Sequence, residues 1–237
     1  MQKKKKPVRG RDPDSRAPLS REQVLRAAVD LADEGGLETL SMRELGRKLG
    51  VEAMSLYNHV ANKDDVLDGM MDLVVGKIEL PAPEDDWRQA MRRRAVSALK
   101  AFRRHTWATA LIESRMGGGP GRLRYFEAVL RVLRRAGFTT ELAARAFSLL
   151  DSYIYGFCRQ SLNISSTESA AGDANAAEAF LRALPADEYP YLAELAATQA
   201  SKPGYDEEAD FEFGLSLILD GLQRVLDAVD EAARPAP

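Results

Sequence analysis

The sequence predicts an all-α protein with a small N-terminal helical unit and a larger helical body. Three observations predict it. Apolar residues recur at helical spacing in one segment after another, and no run alternates β-branched with polar residues. Alanine, leucine and arginine are abundant while aromatic residues make up only 7%. The chain of 237 residues is 45% hydrophobic, enough for one or two domains with proper cores.

Residues 1–18 are polar, rich in lysine, arginine and proline, and without periodicity, so they read as a disordered basic arm. Such an arm either follows a nucleic-acid groove or is a solvated tail that adds non-specific affinity. Ser20, with Gln23 three residues on, has the pattern of a capping box and opens the first helix. Val24, Ala27, Ala28, Leu31 and Ala32 form its stripe, and Gly35-Gly36 ends it. In the next helix Ser41 is the N-cap, Met42, Leu45 and Leu49 share an apolar face, and Arg43, Glu44, Arg47 and Lys48 stay wet. Gly50 ends that helix, since glycine enters the left-handed region without a Cβ clash. The chain restarts at Val51, with Leu56 and Val60 buried next. Leu37 and Leu40 close a three-helix core with these residues.

Helix, glycine turn and second helix is the spacing of a helix-turn-helix, whose second helix enters a DNA major groove. A helical hairpin in an ordinary core shares that spacing. The outer face nevertheless suits DNA. Ser55, Tyr57 and His59 carry donors for phosphate, Asn58 lies beside them, and Ala53 and Met54 are small or flexible enough to touch base edges. A longer helix follows from Asn62 or Asp64 through Val66, Leu67, Met70, Met71, Val74 and Ile78. Asp64 and Asp65 suit its positive end, and Lys63 reaches for a phosphate. Pro81 and Pro83 break the pattern, so residues 19–80 form one unit and 84–232 the next.

In the second unit a helix from Asp86 to Arg104 has Ala90, Met91, Ala95, Ala98, Leu99 and Phe102 on its apolar face. Arg92, Arg93, Arg94, Lys100, Arg103 and Arg104 read as a solvated face with one arginine turned inward. A shorter helix runs from His105 to Met116. The MGGGPG run at 116–121 lacks the Lys-Ser/Thr pair of a phosphate-binding loop and reads as a flexible connection before a helix over 123–136. A long helix starts at Thr139 or Thr140, shorter ones span 176–184 and 189–199, and a final long one spans 206–229. The two long helices carry more apolar surface than one chain's face requires. They are either buried within the chain or form a four-helix bundle between two copies.

Several functions are excluded by composition. The single cysteine, Cys158, rules out an internal disulfide, and two histidines argue against a metal site. No cofactor is expected. No apolar run is long enough to span a bilayer, and the lysines at 3–6 lead into Pro7-Val8-Arg9-Gly10, so the chain reads as cytoplasmic. Net charge is −3, but residues 1–60 carry 12 lysines and arginines against 9 acids, while the remainder carries 21 against 27. A basic end on an acidic body orients toward DNA. No nucleophile–base pair points to an enzyme.

The segments REQVLRAAVDLADEGG, TLSMRELGRKLGV, SLYNHV and NKDDVLDGM resemble the tetracycline-repressor family of bacterial regulators over about residues 19–71. The resemblance implies a homodimer on a palindromic operator in double-stranded DNA, released by a small-molecule effector. An architectural DNA-binding dimer is the other reading. It also implies DNA contacts from Ser41, Arg43, Ala53, Met54, Ser55, Tyr57, Asn58, His59 and Lys63, with Arg43 directed at the groove. Candidates for an effector pocket are Phe102, Trp107, Met116, Tyr125, Phe126, Phe147, Asp151, Tyr153, Tyr155 and Cys158. With the family's tryptophan matched at Trp87, the drug-contacting asparagine and phenylalanine of the tetracycline repressor fall on Arg94 and Ala98. Its magnesium-binding histidine falls on Ile112. A magnesium–tetracycline site is therefore not expected.

Overall fold

The computed structural model describes residues 18–112, 119–169, 185–200 and 206–232. Among these, the regular elements are all helical. The arm over 1–17, Met116 and the helix expected over 176–184 lie outside the described residues.

Helix α1 (Arg21–Gly35) starts at the expected capping box, with Ser20 accepting from the Gln23 N–H and Gln23 from the Ser20 N–H at 2.8 Å. Its buried stripe is wider than the sequence pattern shows, because Leu25 and Val29 are buried too and Leu31 only half-buried. The added face meets a later helix, where Gly69 lies so close that a Cβ there would stand 2.6 Å from the Leu25 Cδ2. A short 3-10 turn (Leu37–Thr39) leads to α2 (Met42–Leu49), capped by the Ser41 hydroxyl and closed by Gly50 at φ 68°, ψ 35°.

The turn after α2 is tight. Val51 N–H returns to the Gly46 carbonyl at 3.0 Å, and a Cβ on Gly46 would lie 2.9 Å from the Val51 oxygen. Helix α3 (Ala53–Leu56) is one α-turn, shorter than the sequence pattern implies. The N–H groups of Tyr57, Asn58 and His59 then bond three residues back, so the segment tightens before Val60. Helix α4 (Lys63–Val75) begins at the Asn62 cap and stops three residues short of Ile78, which is buried beyond a turn.

The body comprises α5 (Trp87–Arg104), α6 (Ala108–Ile112), α7 (Pro120–Arg135), α8 (Thr140–Ser169), α9 (Pro190–Ala200) and α10 (Glu207–Ala232). The apolar face expected on α5 is buried throughout. Its basic face is solvated at Arg93, Lys100 and Arg104, and one arginine, Arg94, turns inward, but several of the arginines are engaged by acids. Arg88, Arg92 and Arg103 pair with Asp220, Glu212 and Glu207 of α10, and Arg93 holds Glu79 and Asp85 of the preceding segment. Arginine stems cover apolar surface while their heads reach a neighbouring acidic helix, and periodicity on α5 alone does not reveal that neighbour. Helix α7 starts three residues earlier than expected, with Pro120 in its first turn, where a missing N–H costs nothing. Gly137 at φ 100° ends it, and Phe138 then packs edge-on against Trp87 at 5.0 Å.

One carboxylate ties the N-terminal helices together. Asp65 accepts from Arg21 on α1 at 2.6 and 2.7 Å, and from the Ala61 N–H at 2.8 Å. Arg21 also donates to the His59 carbonyl at 3.2 Å. The hydrogen bonds from Arg21 hold the Asp65 carboxyl below its ordinary range. A carboxyl depressed on folding stabilises the native state above its unfolded pKa, and that contribution disappears as pH falls through the native value. Asp65→Asn is expected to cost about 1 kcal/mol at pH 7, discounted for partial exposure. Its melting curve should converge with that of the parent in strong acid. Gly46→Ala should leave helical content near normal but displace α3, lowering operator affinity more than it lowers the melting temperature; paired circular dichroism and DNA titrations check this.

Candidate nucleic-acid interface and ligand site

Burial of Leu45, Leu56 and Val60 turns the opposite surface of α2 and α3 outward. Met54 is 75% exposed, and Arg43, Ser41, Tyr57, Asn58 and Lys63 are exposed as well. Ala53, Ser55 and His59 are half-buried at the flanks of that surface. Ser41 accepts the Glu44 N–H at 3.2 Å, which leaves its hydroxyl hydrogen for an outside acceptor. Arg47 and Lys48 are engaged with Glu44 and Glu34, whereas Arg43 on the same helix stays exposed.

A second cluster lies inside the body. Arg94 is 1% exposed; its Nε donates to the Tyr125 hydroxyl at 2.6 Å and its Nη2 pairs with Asp151. The other Asp151 oxygen accepts from the Tyr155 hydroxyl at 2.8 Å. Aromatic rings surround this pair. The Arg94 guanidinium lies 5.0 Å from the Tyr125 centroid and 5.2 Å from that of Phe147, and Arg122 lies 5.9 Å from Phe126. Phe126 meets Phe147 edge-on, and Phe102 meets Tyr155 in the same way. Burial pushes the Tyr125 and Tyr155 hydroxyls up, so both stay protonated and able to donate. Burial likewise pushes the Cys158 thiol up to about 12, so it stays protonated and unreactive at neutral pH.

The structure thus gathers Phe102, Tyr125, Phe126, Phe147, Asp151 and Tyr155 around Arg94. Tyr153 faces elsewhere, donating to the Phe211 carbonyl at 2.8 Å and stacking on that ring. The Trp107 indole also leaves the cluster and donates to Asp33 of α1 at 2.7 Å. The same carboxylate meets the buried His105 Nδ1 at 2.8 Å, so α1 is bonded directly to the corner between α5 and α6. Arg94 was legible in principle. It lies four residues from both Ala90 and Ala98, in the middle of the buried row, which singles it out as the arginine of that helix that turns inward.

Between the two sites, Asp72 of α4 accepts the N–H groups of Gly121 and Arg122 at 3.0 and 2.8 Å. It supplies the side-chain cap that Gly119 cannot give to α7. The approach depends on glycine, since a Cβ on Gly119 or Gly121 would collide with Asp72.

A helix-turn-helix surface on a separate helical body with a polar cluster in its core defines a one-component DNA-binding regulator. The description "Bacterial regulatory proteins, tetR family" matches residues 24–70, and "Tetracyclin repressor-like, C-terminal domain" matches residues 80–226. The chain belongs to the tetracycline-repressor family of transcriptional regulators. It is 36% identical over 229 residues to the HTH-type transcriptional repressor DrrR1 of Streptomyces coeruleorubidus, covering 92% of this chain and 81% of that one. It is 30% identical over 207 residues to the class A tetracycline repressor from transposon 1721 in Escherichia coli, covering 85% and 89%. Apo ActR from Streptomyces coelicolor superposes with a TM-score of 0.76 at 32% identity, covering 92% of this chain and all of ActR. ActR bound to actinorhodin superposes with a TM-score of 0.75 at 31% identity, covering 88% and 97%.

Arg43→Ala is expected to cost about 1–3 kcal/mol of operator binding and to relax preference at one base pair per half-site. Lys63→Gln should instead flatten the plot of log affinity against log salt by about one unit, with operator preference unchanged. Binding titrations on single-base operator variants at several salt concentrations check both.

Proposed function

We propose that this protein is a dimeric repressor that binds a palindromic operator and leaves it when a small molecule occupies the Arg94 cluster. The observation that carries the reading is the Asp72 bridge. Helix α7 presents Tyr125 to Arg94 and, one turn earlier, presents its N-terminal amides to Asp72 on α4. Helix α4 begins at the Asn62 cap, directly after the α3 segment. A ligand that shifts α7 therefore shifts α4, and with it the DNA-facing surface. Asp33, joining α1 to Trp107 and His105, is a second connection between the same two parts. A cleft of about 620 Å³ where α1, α4 and α7 meet, lined by Asp30, Asp72, Leu73 and Arg124 among others, leaves room for that movement.

The dimer reading is supported by apolar side chains left uncovered on the two long helices. Phe213, Leu217 and Val225 on α10 and Leu149 on α8 are exposed. Pairing these faces makes a four-helix bundle and places two DNA-binding surfaces side by side, for half-sites about 34 Å apart or a multiple of that. ActR supports the small-molecule step, having been solved with actinorhodin. The matched families are those of transcriptional regulators, so no catalytic step is invoked.

Release by a ligand requires reciprocity: operator DNA must weaken ligand binding by the factor by which ligand weakens DNA binding. Both affinities, measured at one salt concentration once a metabolite panel yields a thermal shift, should change equally. Asp72→Asn and Asp33→Asn should reduce that shared factor. Ligand affinity indifferent to saturating operator means that the protein is no ligand-operated switch.

A further inference from the structure

The folded reader is short of positive charge. Residues 18–75 carry six lysines and arginines against eleven acids. Four of the six are engaged: Arg21 by Asp65, Arg26 by Glu22, Arg47 by Glu44 and Lys48 by Glu34. Among the described residues, only Arg43 and Lys63 of this stretch are held by no acid. Non-specific affinity for DNA comes from cations that neutralise phosphates and release their counterions, and a strong binder makes about 6–10 such contacts. Two free cations per reader do not supply that. Neutral donors such as Ser55, Tyr57 and Asn58 fix register on the backbone but add no charge.

The missing charge is in residues 1–17. They carry seven lysines and arginines against two acids: Lys3 to Lys6, then Arg9 and Arg11 on either side of Gly10, then Arg16. The folded chain fixes where this segment emerges. Pro18 is exposed, Leu19 packs against the core and Ser20 caps α1. Arg21 then donates to the His59 carbonyl at 3.2 Å and to Asp65, two residues after Lys63. The segment therefore leaves the fold beside His59 and Lys63, at the edge of the outward surface of α2 and α3. Its 17 residues span at most about 56 Å when extended. That is enough to cross a phosphate backbone from a major-groove reader into the neighbouring minor groove, which is roughly 6 Å wide. Lysines suit phosphate as compact point charges, and arginines are drawn to the negative potential of a narrow A·T minor groove. Gly10 adds no side chain where the backbone must lie close to the groove walls.

We propose that residues 1–17 are a second DNA-contacting element, in which Lys3 to Lys6 neutralise phosphates and Arg9 and Arg11 enter the minor groove beside each half-site. This rests on the operator-binding part of the reading above and is independent of effector release. It gives the protein a preference for A·T pairs outside the bases that α2 and α3 touch.

The test uses the full-length protein and an operator core that it selects from random duplexes. The core is flanked on both sides by about half a helical turn of A·T, G·C or inosine·cytosine pairs. Inosine lacks the minor-groove amino group of guanine, so its pair resembles A·T in that groove. The parent should bind the A·T and inosine flanks about fivefold or more tightly than the G·C flank. Arg9→Gln/Arg11→Gln should bring the three flanks within about twofold of one another while keeping the core preference. A variant with Lys3→Gln, Lys4→Gln, Lys5→Gln and Lys6→Gln should flatten the plot of log affinity against log salt by about three units or more, with the flank preference kept. Lys100→Gln/Arg104→Gln removes exposed charge from the body and should leave both readouts as in the parent. Circular dichroism and melting temperature of the arm variants should match the parent's, since their substitutions precede α1. The proposal is overturned if the parent binds the three flanks alike, if Arg9→Gln/Arg11→Gln keeps the flank preference, or if the lysine variant keeps the parent's salt slope. A selected palindromic core with no flank dependence defeats the arm alone and leaves the operator reading standing. Selection of no core at all defeats the operator reading and the arm's role with it.

Discussion

Helix α4 must satisfy two neighbours at once, and the rest of the architecture follows from that constraint. Seven of its thirteen residues are buried, which no one-sided amphipathic helix needs. Gly69 admits α1 on one side, and Asp72 caps α7 on another. Packing fixes the first contact and electrostatics the second. A carboxylate facing two orphan amides at a helix N-terminus is favourable both as a hydrogen-bond acceptor and against the helix dipole. The glycines at 119 and 121, which resemble a flexible linker in the sequence, are what let that carboxylate approach.

The interior of the body shows a different compromise. Most of its core is aliphatic and aromatic, yet a guanidinium, a carboxylate and two phenols share its centre. The buried charge is tolerated because Asp151 pairs with Arg94, Tyr125 accepts from its Nε and Tyr155 donates to Asp151, and truncating one partner would strand the others. Arginine suits the place better than lysine, since a planar fork can bond in several directions while stacking against rings.

The division of labour among charges follows a similar logic. On α5 the arginines that face α10 find acidic partners along its length, while Asp65 collects Arg21 and the turn before α4. These pairs are partly exposed and individually modest. Their value lies in register: each fixes where one helix sits along another. Among the cations of α2, Arg47 and Lys48 are occupied by acids and Arg43 is left exposed.

Local physics sufficed for the helices and their ends. The capping box at Ser20, the caps at Ser41, Asn62 and Asp86, and the stops at Gly36 and Gly50 all involve residues within a few positions of one another, so the sequence alone determined them. The same holds for which side of α2 and α3 is outward, because period 3.6 settles it. Long-range partners are another matter. That Arg94 is buried depends on Asp151, 57 residues away, and that Trp107 turns from the cluster depends on Asp33, 74 residues away. The shortness of α3 depends on how closely Gly46 lets the chain turn back. No periodicity encodes such pairings, since each is decided only when separate helices meet and a charged or polar group must find its complement or remain unbonded.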